Sequence, residues 1–212
     1  MTNLGELFGP AATHGRFYGV ASGIVTNNKD PDGLGRVRLK LPWMAGELES
    51  GWARVASPMA GAGRGVYFLP EVDDEVLVAF SYGDPASPYV LGGLWNGEDH
   101  PPETNDDGKN DVRVIRSRNG HVIRLVDTDG EERIEIVDKS EKNSIVISTK
   151  DGTITISADA DVAVTSASGK LTLSGQAVEI TSKTDVKIQA ATELALKADG
   201  RLTAKGQTVN IN

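Results

Sequence analysis

Residues 178–196, VEITSKTDVKIQAATELAL, contain three pairs of aliphatic residues at a spacing of eight: Val178/Ile180, Val186/Ile188 and Leu194/Leu196. Within each pair, the i and i+2 positions place both side chains on one face of a β-strand. A helix fits poorly, because a period of eight is no multiple of about 3.6 and the segment is rich in Thr and β-branched residues. The stretch therefore predicts short strands joined by tight corners, as in a β-helix or β-prism.

The same pattern extends on both sides of this stretch. From residue 145 onward, the first members of successive pairs lie 9, 8, 9, 7, 8, 8, 8 and 7 residues apart. Two earlier pairs, Ile123/Leu125 and Ile134/Ile136, precede them at a spacing of eleven. The predicted core of this shaft consists of Ile145, Ile147, Ile154, Ile156, Val162, Val164, Leu171, Leu173, Val178, Ile180, Val186, Ile188, Leu194, Leu196, Leu202, Val209 and Ile211.

One such strand buries only two modest side chains, which is too little to offset the entropy lost when the strand becomes ordered. Stacking within a single chain would give a short solenoid of about three turns, without a recognisable cap. Three chains that wind together would instead share one dry core and pair every lateral edge except at the two ends. The pattern favours the trimer.

A different architecture precedes the repeat. All eleven aromatic residues lie in residues 1–95 and all nine prolines in residues 1–102, so the last 110 residues contain neither type. Aromatic rings contribute much of the buried area in ordinary cores, and proline cannot donate to a strand ladder. The change falls in the polar segment GEDHPPETNDDGKN at 97–110. The predicted parts are an N-terminal arm at 1–15, a barrel at 16–96, a linker at 97–120 and the shaft at 121–212.

The first part reads as five or six short strands without a helical period. The strands are expected at residues 16–26, 35–41, 52–56, 65–69, 75–82 and 89–94, with a turn at 30–33 (DPDG) and a flexible loop at 61–65 (GAGRG). Such a pattern predicts a small closed barrel of the OB type. The expected fold is therefore all-β: an N-terminal OB-fold barrel followed by a C-terminal β-helix or β-prism, intertwined as a trimer.

The chain offers little for catalysis or for metal binding. It has no cysteine, and the motifs G-x-S-x-G, Walker A and H-E-x-x-H are absent. The lone His14, His100 and His121 are interpreted as surface or linker residues. The acidic residues Glu71, Asp73, Asp74 and Glu75 are interpreted as a solvated turn at a strand entry rather than a metal site or a carboxylate pair. We expect no catalytic residue, no cofactor and no metal site.

Charge and hydropathy limit the partners and the location. The net charge is −8 and both halves of the chain are acidic, which argues against nucleic-acid binding because phosphate contacts need a basic surface. The N-terminus lacks the basic and apolar regions of a signal peptide, and no run of eighteen apolar residues occurs. We expect a protein made in the cytoplasm without a signal peptide.

The barrel motifs resemble the central spike proteins of contractile injection systems, known as baseplate assembly protein V in phages and VgrG in type VI secretion. The resemblance is carried by residues 35–43 (GRVRLKLPW), 52–55 (WARV), 57–61 (SPMAG), 68–80 (FLPEVDDEVLVAF) and 88–92 (PYVLG). A glycine is more usual where Asp73 stands. The family also places an octad β-helix after its barrel, so the resemblance covers roughly residues 16–212.

The resemblance implies a homotrimeric structural spike assembled into a phage tail or a secreted particle. Its barrels would dock on a separate hub protein, and its point would be driven through the target cell envelope. Some short spikes of the family end in a His-x-His motif that binds iron, and no such motif stands near the end of this chain. We therefore expect a tip protein of the PAAR class to contact Val209, Asn210, Ile211 and Asn212; in the alternative, the polar Asn212 and solvent suffice.

A second class of function is a receptor- or glycan-binding tail fibre with the barrel as its binding head. Trp43, Trp52 and Trp95 could stack on sugars or bases in such a head. In the resembling family those positions pack structurally.

Overall fold

A computed structural model describes residues 15–44 and 49–210 of the chain. In these ranges the only helical element is one 3₁₀ turn, Ser81–Gly83, and the regular structure is otherwise β. The predicted all-β class is confirmed. The chain divides into two units, residues 1–159 and 160–212, and the first unit contains both a barrel and a separate sheet. The predicted arm lies outside the described residues except for Gly15.

Seven strands belong to the barrel region: β1 Val20–Asn27, β2 Arg36–Lys40, β3 Ala53–Val55, β4 Ala60–Gly61, β5 Arg64–Gly65, β6 Glu75–Phe80 and β7 Pro88–Gly93. Five of them close a barrel in the order β1-β2-β3-β7-β6. β3 and β7 pair in parallel, and the other neighbours pair antiparallel. The predicted small closed barrel is confirmed.

The barrel core follows the alternation of its strands. Val37 and Leu39 of β2 are fully buried, as are Val76 and Val78 of β6, while the residues between them are only partly buried. Val25, Ala53 and Val90 complete the fully buried set. Because alternate side chains of each strand point inward, one row of β-branched and aliphatic residues from each strand fills the interior.

An aromatic cluster closes one side of this core. Phe17 stacks on Trp43 with 4.7 Å between ring centroids, and it meets Phe80 edge-on at 5.5 Å. Trp43 also lies 6.0 Å from Phe80. Offset and edge-on contacts of this kind stabilise aromatic pairs beyond the area they bury.

The glycine-rich run at 61–65 differs from the prediction. It is a tight β-hairpin, with Ala60 opposite Gly65 and Gly61 opposite Arg64, so the expected flexible loop is wrong. The expected strand at 65–69 is reduced to Arg64–Gly65. Gly65 has a φ of 151°, and a Cβ there would stand 2.5 Å from the Met59 carbonyl oxygen. The backbone of this hairpin therefore requires glycine at that position.

A carboxylate with little solvent exposure organises the predicted turn at 30–33. The Asp30 side chain is 3 % exposed and accepts hydrogen bonds from Arg36 Nε at 2.8 Å and Arg36 Nη2 at 2.7 Å. It also accepts from the backbone N–H groups of Asp32, Leu34 and Arg36 at 3.1, 3.0 and 3.2 Å. The Arg36 guanidinium, followed by these N–H groups, holds the pKa of Asp30 far below its ordinary value because the donors stabilise the ionised form.

Residues 112–157 form a five-stranded antiparallel sheet, which we call the meander. Its strands are β8 Val112–Arg116, β9 Val122–Val126, β10 Arg133–Val137, β11 Ser144–Ser148 and β12 Thr153–Ser157, and each pairs with the next in the chain. β8 lies within the segment 97–120 that the sequence assigns to a linker. β9 to β12 carry the first four apolar pairs of the expected shaft.

The meander is not the octad coil that the sequence predicts from residue 121. Its apolar pairs recur at intervals of 11, 11 and 9 residues, which leave loops of four to six residues between five-residue strands. Loops of this length let a strand turn back and pair with the strand before it in the same chain. The expected β-helix therefore stays a prediction for the residues that follow the meander.

The Asp30 cluster predicts how barrel stability depends on pH. Because the pKa of Asp30 is lower in the folded than in the unfolded chain (about 3.9), its stabilising contribution is present above about pH 4 and is lost as the pH falls through the folded-state pKa. Asp30→Asn should therefore lower the urea midpoint of the tryptophan fluorescence transition at pH 7. It should also flatten the fall of that midpoint between pH 5 and pH 2.

Asp32→Asn is the matched control, since it removes a 65 % exposed partner of the same Arg36. It should leave the pH dependence close to that of the wild type. Parallel pH profiles for Asp30→Asn and the wild type would contradict the role given to Asp30.

Candidate assembly surface

One face of the meander is lined by aliphatic side chains in two rows. The rows are Ile115, Ile123, Ile136, Ile145 and Ile156, and beside them Leu125, Ile134, Ile147 and Ile154. Each of these side chains is 40–72 % exposed. A contiguous apolar surface of this kind marks an interaction site on a protein. It contains the first four residues of the predicted trimer core, from Ile145 to Ile156.

The opposite face of the meander carries paired charges. Arg124 pairs with Glu103 at 2.6 Å and with Glu135 at 3.5 Å, and Arg133 pairs with Glu135 at 2.5 Å. Glu103 belongs to the segment that precedes the sheet, so that segment contacts this face. The two faces therefore differ in kind: one carries ion pairs formed within the chain, and the other is open and mainly apolar.

The chain at 160–210 repeats with a period of eight in its backbone as well as in its sequence. It is exposed throughout, and the structure assigns it no strand. Sharp bends begin at residues 167, 175, 183, 191, 199 and 207, eight residues apart. In four cases the first aliphatic residue of a pair stands three positions after the start of a bend: Val178, Val186, Leu194 and Leu202. The corners thus fall between the pairs.

A second regularity in this segment is not part of the aliphatic pattern. The residue two positions after each second pair member is always small: Ser166, Gly175, Ser182, Ala190, Ala198 and Gly206. Since side chains alternate along a strand, this position faces the same way as the aliphatic pair, next to the corner. A small side chain there permits close approach of neighbouring strands where the chain turns.

The predicted tip contact is only partly described. Val209 and Asn210 are exposed, whereas Ile211 and Asn212 lie outside the described residues. Of the histidines, His121 accepts a hydrogen bond at Nδ1 from the backbone N–H of Lys139 at 3.3 Å, and His14 is likewise outside the described part.

The acidic cluster at 71–75 is a turn that leads into β6. The Asp74 carboxylate accepts the backbone N–H of Glu71 at 2.8 Å, and the Asp73 N–H donates to the Val25 carbonyl at 2.9 Å. Glu71 pairs with Arg118 at 2.6 Å, and Glu75 accepts from Asn96 at 3.0 Å. In the described ranges no three His, Asp or Glu side chains are grouped so as to hold a metal ion.

Two of the three tryptophans proposed as stacking platforms are engaged by the protein itself. Trp43 belongs to the aromatic cluster with Phe17 and Phe80. Trp52 lies beneath two guanidinium groups, those of Arg36 at 5.8 Å and Arg38 at 4.8 Å. Trp95 is 70 % exposed. Of the three, Trp95 alone has no ring or guanidinium contact among the described residues, so these tryptophans do not form a row of free rings for sugars or bases.

Comparison with known proteins assigns the barrel. Residues 21–95, which span the strands from β1 to β7, match the family described as type VI secretion system/phage-baseplate injector OB domain. The barrel is similar to injector OB domains over these 75 residues, about a third of the chain. The resemblance to VgrG-like baseplate spike proteins is thereby confirmed, and with it the OB type of the closed barrel.

Several spike proteins of type VI secretion systems are similar to this chain. The spike protein VgrG3 of Vibrio cholerae is 35% identical over 82 residues, which are 37% of this chain and 8% of that protein. VgrG1a of Pseudomonas aeruginosa is 29% identical over 126 residues, 54% of this chain and 20% of the relative. The actin cross-linking toxin VgrG1 of Vibrio cholerae is 35% identical over 77 residues, 34% of this chain and 7% of the toxin.

The chain thus spans a fifth or less of the length of these three relatives. Within residues 15–44 and 49–210, no helix has the length and apolar character needed to cross a membrane.

Asp73 provides a test of the turn into β6. Its φ of 77° lies in the left-handed region, which explains why the resembling family prefers glycine there. We expect Asp73→Gly to leave the free energy of unfolding of the barrel unchanged or to raise it by up to about 1 kcal/mol. Asp73→Val should lower it by about 1–2 kcal/mol, because a β-branched residue is strained in that conformation. Chemical denaturation followed by tryptophan fluorescence measures both, and a valine variant as stable as the glycine variant would contradict this account.

Proposed function

We propose that the chain is the structural central spike of a contractile tail or injection-system baseplate, that it acts as a homotrimer, and that it has no catalytic role. One observation carries the proposal. An injector OB barrel is joined, through the meander, to a chain whose bends and apolar pairs both recur every eight residues. The similar proteins VgrG3 and VgrG1a are described as spike proteins.

The trimer follows from the unburied aliphatic residues. Those described between Val162 and Val209 are 52–69 % exposed in one chain, and full burial of each would contribute about 1.5–3 kcal/mol. The strands that carry them also need partners for their backbone N–H and C=O groups. Three copies wound about a common axis satisfy both needs, since each strand pairs with neighbours from other copies and the pairs face a shared interior.

A shaft of this kind suits a mechanical task. Its cross-section is narrow, its interior is filled by paired aliphatic residues, and its strands form a closed surface without free lateral edges. Such a structure transmits an axial push without bending, which supports a role in piercing the target cell envelope. The partners implied by the resemblance are a hub protein at the barrel end and a tip protein of the PAAR class at residues 209–212.

The toxin among the relatives does not change this proposal. Its match to this chain comprises 7% of the toxin's length, which is too little to carry an enzymatic activity across. The contacts of Trp43 and Trp52 with other barrel side chains also favour the spike over the fibre with a sugar-binding head. Nucleic acid is an unfavourable partner for a chain with a net charge of −8.

Ile188→Asp tests the buried position of the aliphatic pairs. Three carboxylates would meet in an apolar interior without partners, which is strongly unfavourable. We expect the variant to sediment with the 22.5 kDa mass of one chain, whereas the wild type sediments at three times that mass. Lys187→Asp is the matched control: it places the same carboxylate on the outward side of the same strand and should leave the trimer intact. A trimeric Ile188→Asp variant would show that this residue does not face the core.

The position of the protein in an assembled particle tests the spike role itself. A peptide tag on the chain, labelled with antibody and viewed by electron microscopy, should lie on the central axis of the baseplate. Label at the periphery, where tail fibres attach, would overturn the proposal.

A further inference from the structure

The strands of the meander pair with one another within a single chain. By contrast, the structure assigns no strand to residues 160–210, which we call the octads. The meander leaves its apolar face open. We infer that this face is where three copies first dock, and that the meander thereby sets the register in which the three shafts wind. This inference rests on the proposed trimeric spike and adds the element that determines how the trimer is aligned.

The repeat between Val178 and Ala204, where the spacing is eight throughout, does not select one register by itself. The pairs Val178/Ile180 and Val186/Ile188 are equivalent in size and in their position after a bend. If one chain slips by eight residues, the pairs between Val178 and Ala204 still face one another, and the layer of Leu171/Leu173, nine residues after one pair and seven before the next, is the one that no longer matches. Repeats with a fixed period are therefore prone to alternative pairings unless another element specifies the alignment.

The meander has no such ambiguity, because its pairing is fixed by short loops inside one chain. Hydrogen bonds also tie the point where the chain leaves it. Asn143, in the loop between β10 and β11, accepts the backbone N–H of Asp159 at 2.9 Å and donates to Asp138 at 2.8 Å. Lys142 pairs with the Asp159 carboxylate at 2.9 Å. Every copy therefore releases its chain at the same level relative to its own sheet.

The Asp138 carboxylate, which accepts the Asn143 amide, has a second side-chain donor. It accepts the Ser140 hydroxyl at 2.7 Å, in addition to the Asn143 amide. These donors, with Ser140 the stronger, lower the pKa of Asp138 to about 2, so the group stays ionised at neutral pH.

The occupant of the apolar face is two further copies of this chain. In β9 to β12 the face presents two aliphatic residues per strand at i and i+2, the same spacing that the sequence repeats after β12, whereas β8 presents Ile115 and Arg113. Only four residues of chain separate the end of β12 from Val162, so copies that pair with the first aliphatic pair after β12 are linked to the meander by a short stretch of chain. The opposite face is closed by Arg124 and its partners, so the open face is the one that remains for docking.

The experiment measures register by distance. The chain contains no cysteine, so Lys187→Cys in the full-length protein carries one spin label per copy on the outward side of the shaft. Three aligned copies are related by a threefold axis and give a single narrow distance by pulsed electron spin resonance. The double substitution Ile134→Ser/Ile136→Ser removes the centre of the meander face. We expect it to give several distances or to lose the trimer mass.

The matched control removes a similar amount of apolar surface from the proposed shaft. Val178→Ser/Ile180→Ser should lower the melting temperature but keep the trimer mass and the single narrow distance. A meander variant that keeps both the mass and the single distance would overturn the inference, and so would a control that loses alignment to the same extent. A wild-type protein with the mass of one chain would instead refute the proposed trimer, so sedimentation separates the two failures.

Discussion

Each strand of the meander carries exposed aliphatic side chains on one face, and no other element of the described chain covers that face. The meander meets the need of its strands for hydrogen bonds, because its loops are long enough for neighbouring strands to pair. It does not cover its nine aliphatic residues. Residues 160–210 have no assigned strand and are exposed throughout, so in one chain neither need is met there. The proposed trimer would meet both.

The barrel obeys the opposite rule, because it fills its own interior. Val25, Val37, Leu39, Val76 and Val78 leave no exposed surface, and the aromatic cluster around Phe17 closes one side. Asp30 and Arg36 fix the turn between the first two strands through five hydrogen bonds. The family match therefore concerns the barrel, which fills its own core. The proposed mechanical function depends on residues 160–210, whose aliphatic side chains are exposed in one chain.

The sequence predicts the barrel well because alternation along a strand reports directly which side chains face the core. The turn at Asp30 and the strand pattern around Val37 and Val76 could be predicted in this way. The hairpin at Gly65 could not be predicted in this way. It depends on the close approach of the Met59 carbonyl oxygen to Gly65, and the pattern of hydrophobic residues does not report backbone contacts. The left-handed backbone at Asp73 was signalled only by the glycine that the resembling family prefers there.

The spacing of aliphatic pairs after residue 112 predicts which side chains share a face, but it does not predict which strands pair. The aliphatic residues of the candidate assembly surface could all be recognised from their i, i+2 spacing, apart from Ile115 in β8, which lies in a segment with the composition of a linker. Whether such pairs sit in hairpins or in an octad coil depends in part on the length of the intervals; the two eleven-residue intervals of the meander coincide with hairpins, whereas an interval of nine occurs both in the meander and after it. Pairing between copies cannot be recognised from one chain, because the partner strands have the same sequence.

Amide hydrogen exchange of the wild-type protein tests most directly whether the octads pair with strands of other copies. The measurement compares residues 160–210 with the strands of the barrel. If three copies wind into one shaft, the amides of the octads are hydrogen-bonded between chains and exchange as slowly as those of β2 and β6. Exchange of residues 160–210 at the rate of an unprotected chain, beside a protected barrel, would contradict the account.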